Sequence, residues 1–267
     1  MQDFEGYTIM RRLPRGGMTD LFLALDENRN RYVIRSLREP YSRRWKWRRS
    51  FFKAAEVMTK LHHPNIVRIY DANFRERQPY MVLEYVESPN LRSLILNRSE
   101  VLTRNSLKLL RQLAEALYYV HSMGYLHLDF KPDNILVSEE AHAVLIDFDL
   151  VVKSKPRGRR LRTVRGTPFY MPPEALAHNR VNEQTDIYAF GVTAYEMYTF
   201  HKPFEADTVE AAHAAQTDRS TVPRPMSAWQ SGISKRVESL VFKCLAKSPE
   251  ARYPSMSSVL KDLGALV

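Results

Sequence analysis

Apolar and polar residues alternate along positions 7–37, interrupted by the polar run Asp26-Glu27-Asn28-Arg29-Asn30. A period of two over that length predicts half-buried antiparallel strands joined by a turn. Over 47–62 the apolar spacing lengthens to a helical period, then 66–70 and 80–85 return to strand, with Arg75-Glu76-Arg77-Gln78-Pro79 as the turn between them. From Leu91 onward helices dominate, at about 105–123, 184–200, 206–216, 234–246 and 255–266. The pattern changes character once. It predicts an α+β protein: a small antiparallel β region carrying one helix, then a larger, mainly α-helical region.

A chain of 267 residues, 44% of them hydrophobic, can bury one sizeable core or two. No run approaches 18 apolar residues, and the first residues lack the charged-then-apolar pattern of an export signal, so a cytoplasmic location is expected. A single cysteine, Cys244, excludes an internal disulfide and suits a reducing compartment; its apolar helical surroundings predict a packed thiol. The formal charge of +10 favours acidic partners, whether nucleotide, phosphoprotein, nucleic acid or anionic lipid.

The chemistry concentrates in His127-Leu128-Asp129-Phe130-Lys131-Pro132-Asp133-Asn134 and Ile146-Asp147-Phe148-Asp149. Two carboxylates, an ammonium and a carboxamide recur there at a spacing suited to phosphates, hard cations and a hydroxyl. Gly166-Thr167-Pro168-Phe169-Tyr170-Met171-Pro172-Pro173-Glu174 follows, then Asp186 and Arg252. Together these motifs resemble the protein-kinase family, serine/threonine type, and the resemblance spans essentially the whole chain. It implies a bilobal kinase fold in one domain, 1–267, with an N-lobe at 1–86 and a C-lobe at 87–267. Asp129 would then accept or orient the substrate hydroxyl proton, Lys131 would steady the transferred phosphoryl group, and Asn134 and Asp147 would hold Mg2+ or Mn2+. ATP would contact Gly16, Leu21, Val33, Arg35, Glu84, Val86 and Leu136. The resemblance also implies an apolar column of Met58, Ile69, His127 and Phe148 over Asp186, and an ion pair between Glu174 and Arg252.

The parts that grip phosphate depart from the family pattern. Of the three loop glycines only Gly16 remains, with Pro14 and Thr19 at the outer positions; proline lacks an amide, and a β-branched residue resists close approach. Arg35 stands in place of the phosphate-pairing lysine, and Val33 in place of a small residue above the adenine. The lysine's glutamate partner falls on Ala54 when the chain is registered on His63-Pro64-Asn65-Ile66-Val67. Glu56, two residues on, is turned by roughly 200° around the helix, away from the expected site. Asp149 replaces the glycine of the D-F-G motif, and Leu128 the arginine of H-R-D.

These gaps imply a pseudokinase or strongly attenuated kinase acting as a nucleotide-influenced binding module. ATP is expected to bind weakly, if at all, and through its metal. The alternative is an active ATP-dependent protein serine/threonine kinase using Arg35. Residues 153–165 carry seven basic side chains and no acid, which reads as a solvated loop or a dock for an acidic protein partner or substrate. Arg43-Arg44-Trp45-Lys46-Trp47-Arg48-Arg49 mixes cations with tryptophans. That mixture suits nucleic acid or a membrane surface, but packing of a tryptophan on the small region is favoured over either.

Overall fold

Strand β1 (Thr8–Arg12) pairs antiparallel with β2 (Thr19–Leu25), and β2 with β3 (Arg31–Leu37). Asp26 closes the turn predicted between β2 and β3: its Oδ1 accepts the N–H groups of Asn28 (2.9 Å) and Asn30 (2.8 Å). The computed structural model describes residues 4, 6–14, 17–75, 77–163 and 165–266, so Gly16 of the predicted phosphate loop lies outside the described residues.

Helix α1 (Trp45–Met58) follows, then β4 (Ile69–Asn73) and β5 (Tyr80–Glu84), giving a five-stranded sheet in the order β1-β2-β3-β5-β4. Ala24, Ile34, Tyr80 and Val82 share one face of this sheet and pack with Phe4. Because Leu21 lies opposite Arg35 and Leu23 opposite Val33, those four residues share the other face. Helix α1 buries Phe51, Ala54, Ala55, Val57 and Met58. It stops short of the predicted residue 62, because after Met58 the N–H groups of Lys60 and Leu61 bond three residues back, to Val57 (3.0 Å) and Met58 (3.1 Å), in tighter turns. The Ile66 N–H closes a turn on the His63 carbonyl (3.0 Å), which delays the predicted strand to Ile69. At the start of α1, Trp47 meets Tyr41 edge-on at 5.6 Å, as expected, while Trp45 is 70% exposed beneath the Arg49 guanidinium.

Residues Met1–Glu87 form one compact unit and Ser88–Val267 a second. The second begins with α2 (Leu91–Leu96), where the Asn90 carboxamide accepts the Ser93 N–H at 2.9 Å. Helix α3 (Glu100–Ser122) starts earlier than its apolar period suggests, since Ser99 caps a first turn that bends at Asn105 (φ −127°, ψ 15°). Short strands and turns follow: β6 (Tyr125–Leu126), β7 (Ile135–Val137), β8 (Ala143–Leu145), β9 (Val152–Lys153) and β10 (Arg159–Arg160). Helix α4 (Pro173–His178) and β11 (Arg180–Val181) lead into α5 (Glu183–Thr199), then α6 (Val209–Thr217), α7 (Lys235–Cys244) and α8 (Met256–Gly264). The α+β class stands as expected. No helix among the described residues is long and apolar enough to cross a membrane.

Helix α5 is buried on nearly every side, the behaviour of a helix with no polar face. At Gly191 a Cβ would stand 2.7 Å from the Cβ of Cys244, so α5 and α7 meet through a missing side chain. Burial also pushes the Cys244 thiol well above its ordinary pKa, leaving it a neutral packing group. Gly191→Ala is expected to cost about 1–3 kcal/mol through overpacking, lowering Tm by roughly 3–10 °C. An unchanged melting curve would show that the two helices can part without loss.

Candidate active site

The β7–β8 hairpin builds the lower part of the site. Ile135 pairs with Leu145 and Leu136 with Val144, and one step outward the Ile146 N–H donates to the Asn134 carbonyl at 2.8 Å. The ladder thus sets Asn134, just before β7, beside the segment carrying Asp147, just after β8. Leu136 is half-buried in the middle of β7. Asp147 takes a left-handed backbone (φ 66°) and its Oδ1 accepts the Asp149 N–H at 3.1 Å. Asp149 is absent from the residues of positive φ, so the missing glycine of this motif is not needed for a left-handed turn.

A buried carboxylate shapes the neighbouring loop. Asp186 of α5 accepts the backbone N–H groups of His127 and Leu128, each at 2.8 Å, and sits 2.8 Å from His121 Nε2. Burial alone would raise its carboxyl pKa, but the His121 hydrogen bond, the charge of that ring and the Leu128 amide hold it below the ordinary range. Leu128 is thereby fixed in a left-handed conformation, φ 66°, that a leucine rarely adopts. His127 is fully buried and packs edge-on against Phe148 at 4.9 Å. Desolvation lowers its pKa despite Asp186, Asp129 and Asp147 nearby, so the ring is neutral.

Beyond this turn the polar groups converge on Asp129. Lys131 Nζ donates to Asp129 Oδ2 at 2.9 Å and to Thr167 Oγ1 at 2.7 Å. The Thr167 hydroxyl donates to Asp129 Oδ1 at 3.2 Å. Asn134 Nδ2 donates to the Asp129 carbonyl and to its Oδ2, both at 2.9 Å. Committing that amide nitrogen to Asp129 reserves the Asn134 oxygen as the acceptor or ligand atom. Three side chains from two segments therefore share one carboxylate. Thr167 has no assigned role in the sequence reading; the signal available was its place after Gly166 in the motif that ends at Glu174.

Supports surround this network. Arg92 of α2 pairs with the buried Glu196 of α5 at 2.5 Å, bonds the Tyr170 hydroxyl, and lies 3.5 Å from Asp133. Tyr170 donates to the other Glu196 oxygen at 2.6 Å. The Gln216 amide reaches the carbonyls of Pro168 (3.1 Å), Phe169 (2.9 Å) and Met171 (3.1 Å). Glu174 and Arg252 form the expected ion pair through two bonds, of 2.7 and 2.9 Å.

In the first unit Leu21, Val33 and Arg35 share the outer face of β2–β3, while Glu84 closes β5 with its carboxylate accepting the Arg68 N–H at 3.2 Å. Val86 follows two residues later, half-buried. Arg35 is only 7% exposed: its Nε donates to Thr19 Oγ1 at 3.4 Å and its guanidinium lies over the Phe51 ring at 6.0 Å. Two departures from the family pattern thus meet in one contact, because the threonine at the third glycine position receives the arginine at the lysine position. Phe51 and Ala54 lie three residues apart on α1, hence on one face. That face offers a ring and a methyl. Glu56 is 68% exposed along its side chain and pairs with Lys60 at 2.8 Å, the outward direction expected of it.

Asn134 and Asp147 provide a carboxamide and a carboxylate, oxygen donors that fit a hard divalent cation such as Mg2+. Among the described residues no three His, Cys, Asp or Glu side chains gather at metal-binding distances. A cation held by these two residues would need phosphate or water oxygens to complete its shell.

Comparison with known proteins gives a consistent result. The family model for the protein kinase domain matches residues 7–263. The chain is 31% identical over 267 residues to the serine/threonine-protein kinase PknB of Mycobacterium tuberculosis, covering 97% of this chain and 42% of that protein. It is similar to the probable serine/threonine-protein kinase PknB of Bifidobacterium longum, 31% identical over 270 residues, 96% of this chain and 39% of that one. It is also similar to the serine/threonine-protein kinase PrkC of Bacillus subtilis, 29% identical over 261 residues, with coverage of 96% and 40%. The chain spans about two fifths of the length of these curated relatives.

Proposed function

Because the chain belongs to the protein kinase family, serine/threonine type, we propose that it is a pseudokinase or strongly attenuated kinase. It acts in the cytoplasm as a nucleotide-influenced module that binds a protein partner or substrate with an acidic surface. One observation carries this reading. Arg35, at the position where the family pairs phosphate, is buried and directed to Thr19 and Phe51. A planar guanidinium fork does not take the place of a compact ammonium anchored by a glutamate. Ala54 supplies a methyl where the family has that glutamate.

A second reading rests on the Asp129 network, which is complete. If phosphotransfer survives, Asp129 takes the proton of the substrate hydroxyl, and Lys131, held between Asp129 and Thr167, steadies the phosphoryl oxygens. Asn134 and Asp147 hold Mg2+ or Mn2+, which when bound neutralises charge on the polyphosphate. The family pattern assigns Leu21, Val33 and Leu136 to adenine contact, and Glu84 and Val86 to the segment that meets its polar edge.

A thermal-shift titration separates metal-borne from protein-borne binding. Millimolar ATP with Mg2+ is expected to raise Tm by a few degrees, about 2–4 °C for each kcal/mol of linkage. The same ATP in excess chelator is expected to leave Tm unchanged. Tight binding in chelator would refute the idea that the metal carries the phosphate contacts. Phosphotransfer to serine or threonine that disappears in Asp129→Ala would establish the enzyme reading.

A further inference from the structure

Between Asp149 and Glu174 the chain has no acidic residue, yet Lys153, Lys155, Arg157, Arg159, Arg160, Arg162 and Arg165 fall there. A loop of this composition is ordinarily solvated and irregular. This one is seated on the second unit. Strand β10 pairs with β11, the Leu161 N–H donates to the Asn179 carbonyl at 2.9 Å, and Leu161 packs against a cluster of Leu126, Leu128, Ala175 and Val181. Gly158, at φ 72°, makes the turn that brings the strand in, a left-handed conformation that other residues rarely adopt.

That seating has an electrostatic cost. In the β10–β11 register Arg160 lies directly opposite Arg180, and both are exposed. Like charges directly opposite on paired strands repel. Arg157 and Arg162 flank the pair, also exposed, and among the described residues none of Arg157, Arg159, Arg160, Arg162 and Arg180 has an acidic side chain as partner. A two-residue ladder that gathers cations face to face is a source of positive potential that favours an anion.

We propose that the exposed face of β10–β11, centred on Arg160 and Arg180 and flanked by Arg157 and Arg162, docks an acidic polypeptide segment rich in Asp and Glu. Arginine forks match carboxylates in pairs, and an extended peptide can carry carboxylates at strand spacing along the ladder. Nucleic acid fits less well, because the described residues of 150–163 hold no aromatic ring on which a base could stack. Leu161 and Leu128 share one apolar cluster, so a segment docked here lies near the loop that presents Asp129. The proposal rests on the family reading above and gives its acidic partner an address; docking itself needs neither nucleotide nor phosphotransfer.

The test is fluorescence anisotropy with a labelled peptide of alternating Glu and Ser, against a control with Gln for Glu, from roughly 0.05 to 0.3 M salt. The wild-type chain is expected to bind the Glu peptide with a steep salt dependence and to ignore the Gln peptide. Arg160→Gln with Arg180→Gln is expected to weaken binding about tenfold or more and to flatten the salt slope. The same double variant is expected to melt at the same temperature or higher, since a repulsion has been removed. The quadruple change of Arg157, Arg159, Arg160 and Arg162 to Ser should remove binding. Each variant is also titrated with ATP and Mg2+, where loss of the nucleotide site registers by itself, apart from docking. Undiminished peptide binding in the double variant overturns the proposal. So does a fall in its melting temperature, which would make the arginines packed structure, or displacement of the peptide by equimolar oligothymidylate or phosphatidylserine vesicles.

Discussion

Replacing Arg252 with alanine is expected to destabilise the protein by about 3–5 kcal/mol, the cost of leaving a buried charge without its partner. The guanidinium is fully used. Its two Nη atoms bond both Glu174 oxygens, at 2.7 and 2.9 Å, and the carbonyls of Gln184 and Lys247, each at 3.1 Å; Nε bonds the Ala246 carbonyl at 2.7 Å. Five donors meet five acceptors inside the second unit. Their loss strands Glu174 and three carbonyls, and the midpoint of thermal unfolding should fall by roughly 6–20 °C. Arg252→Lys should recover little, because an ammonium has three donors and no fork. Calorimetry of the two variants decides the matter. A lysine variant as stable as wild type would mean that charge alone, and not the fivefold geometry, holds the segment that ends at Glu174.

The second large effect concerns catalysis. Arg35→Lys alone should add little phosphotransfer, since Ala54 leaves a new ammonium unanchored and the Thr19 and Phe51 contacts are lost. Ala54→Glu alone should be clearly destabilising, as it brings a carboxylate to a position with no exposed surface. Together the two changes should restore a lysine–glutamate pair. Stability should then recover by a coupling of about 0.5–3 kcal/mol, and the phosphotransfer rate should exceed the sum of the single effects. A double-mutant cycle on Tm and on initial rate reads both. If the double variant regains stability but no rate, the deficit lies with Pro14, Thr19, Val33 or Asp149 instead.

How far the chain could be read without a structure varied with the range of the interaction. Alternation and helical period found the β region, α1 and the five long helices, since each is a local pattern repeated over many residues. Boundaries slipped where a single residue or turn decided them: α1 tightens into three-residue turns after Met58, Ser99 starts α3 early, and Thr208 delays α6, which begins at Val209 rather than 206. The outward turn of Glu56 followed from helix geometry alone. The meeting of Thr19 with Arg35 did not, because nothing in either residue announces the other until β2 and β3 are in register. Thr167 hid for a related reason. A threonine carries no charge, and its role exists only where the segment folds back onto Asp129 and Lys131. The basic run was visible as composition, but the ladder that sets Arg160 against Arg180 was not.

Asp186 separates two kinds of permanence in this loop. Its carboxylate is buried and satisfied by the His127 and Leu128 amides and the His121 ring, so any chain that keeps this core must keep that turn, whether or not it transfers phosphate. Asp129 and Lys131 lie outside that obligation, partly exposed and bonded mainly to each other, Thr167 and Asn134. A lineage released from chemistry would therefore shed Asp129 and Lys131 early, while His127 and Asp186 lingered as relics of folding. Among descendants of this sequence, the order in which those four positions decay would date the loss of activity, and the histidine alone would be a poor witness to it.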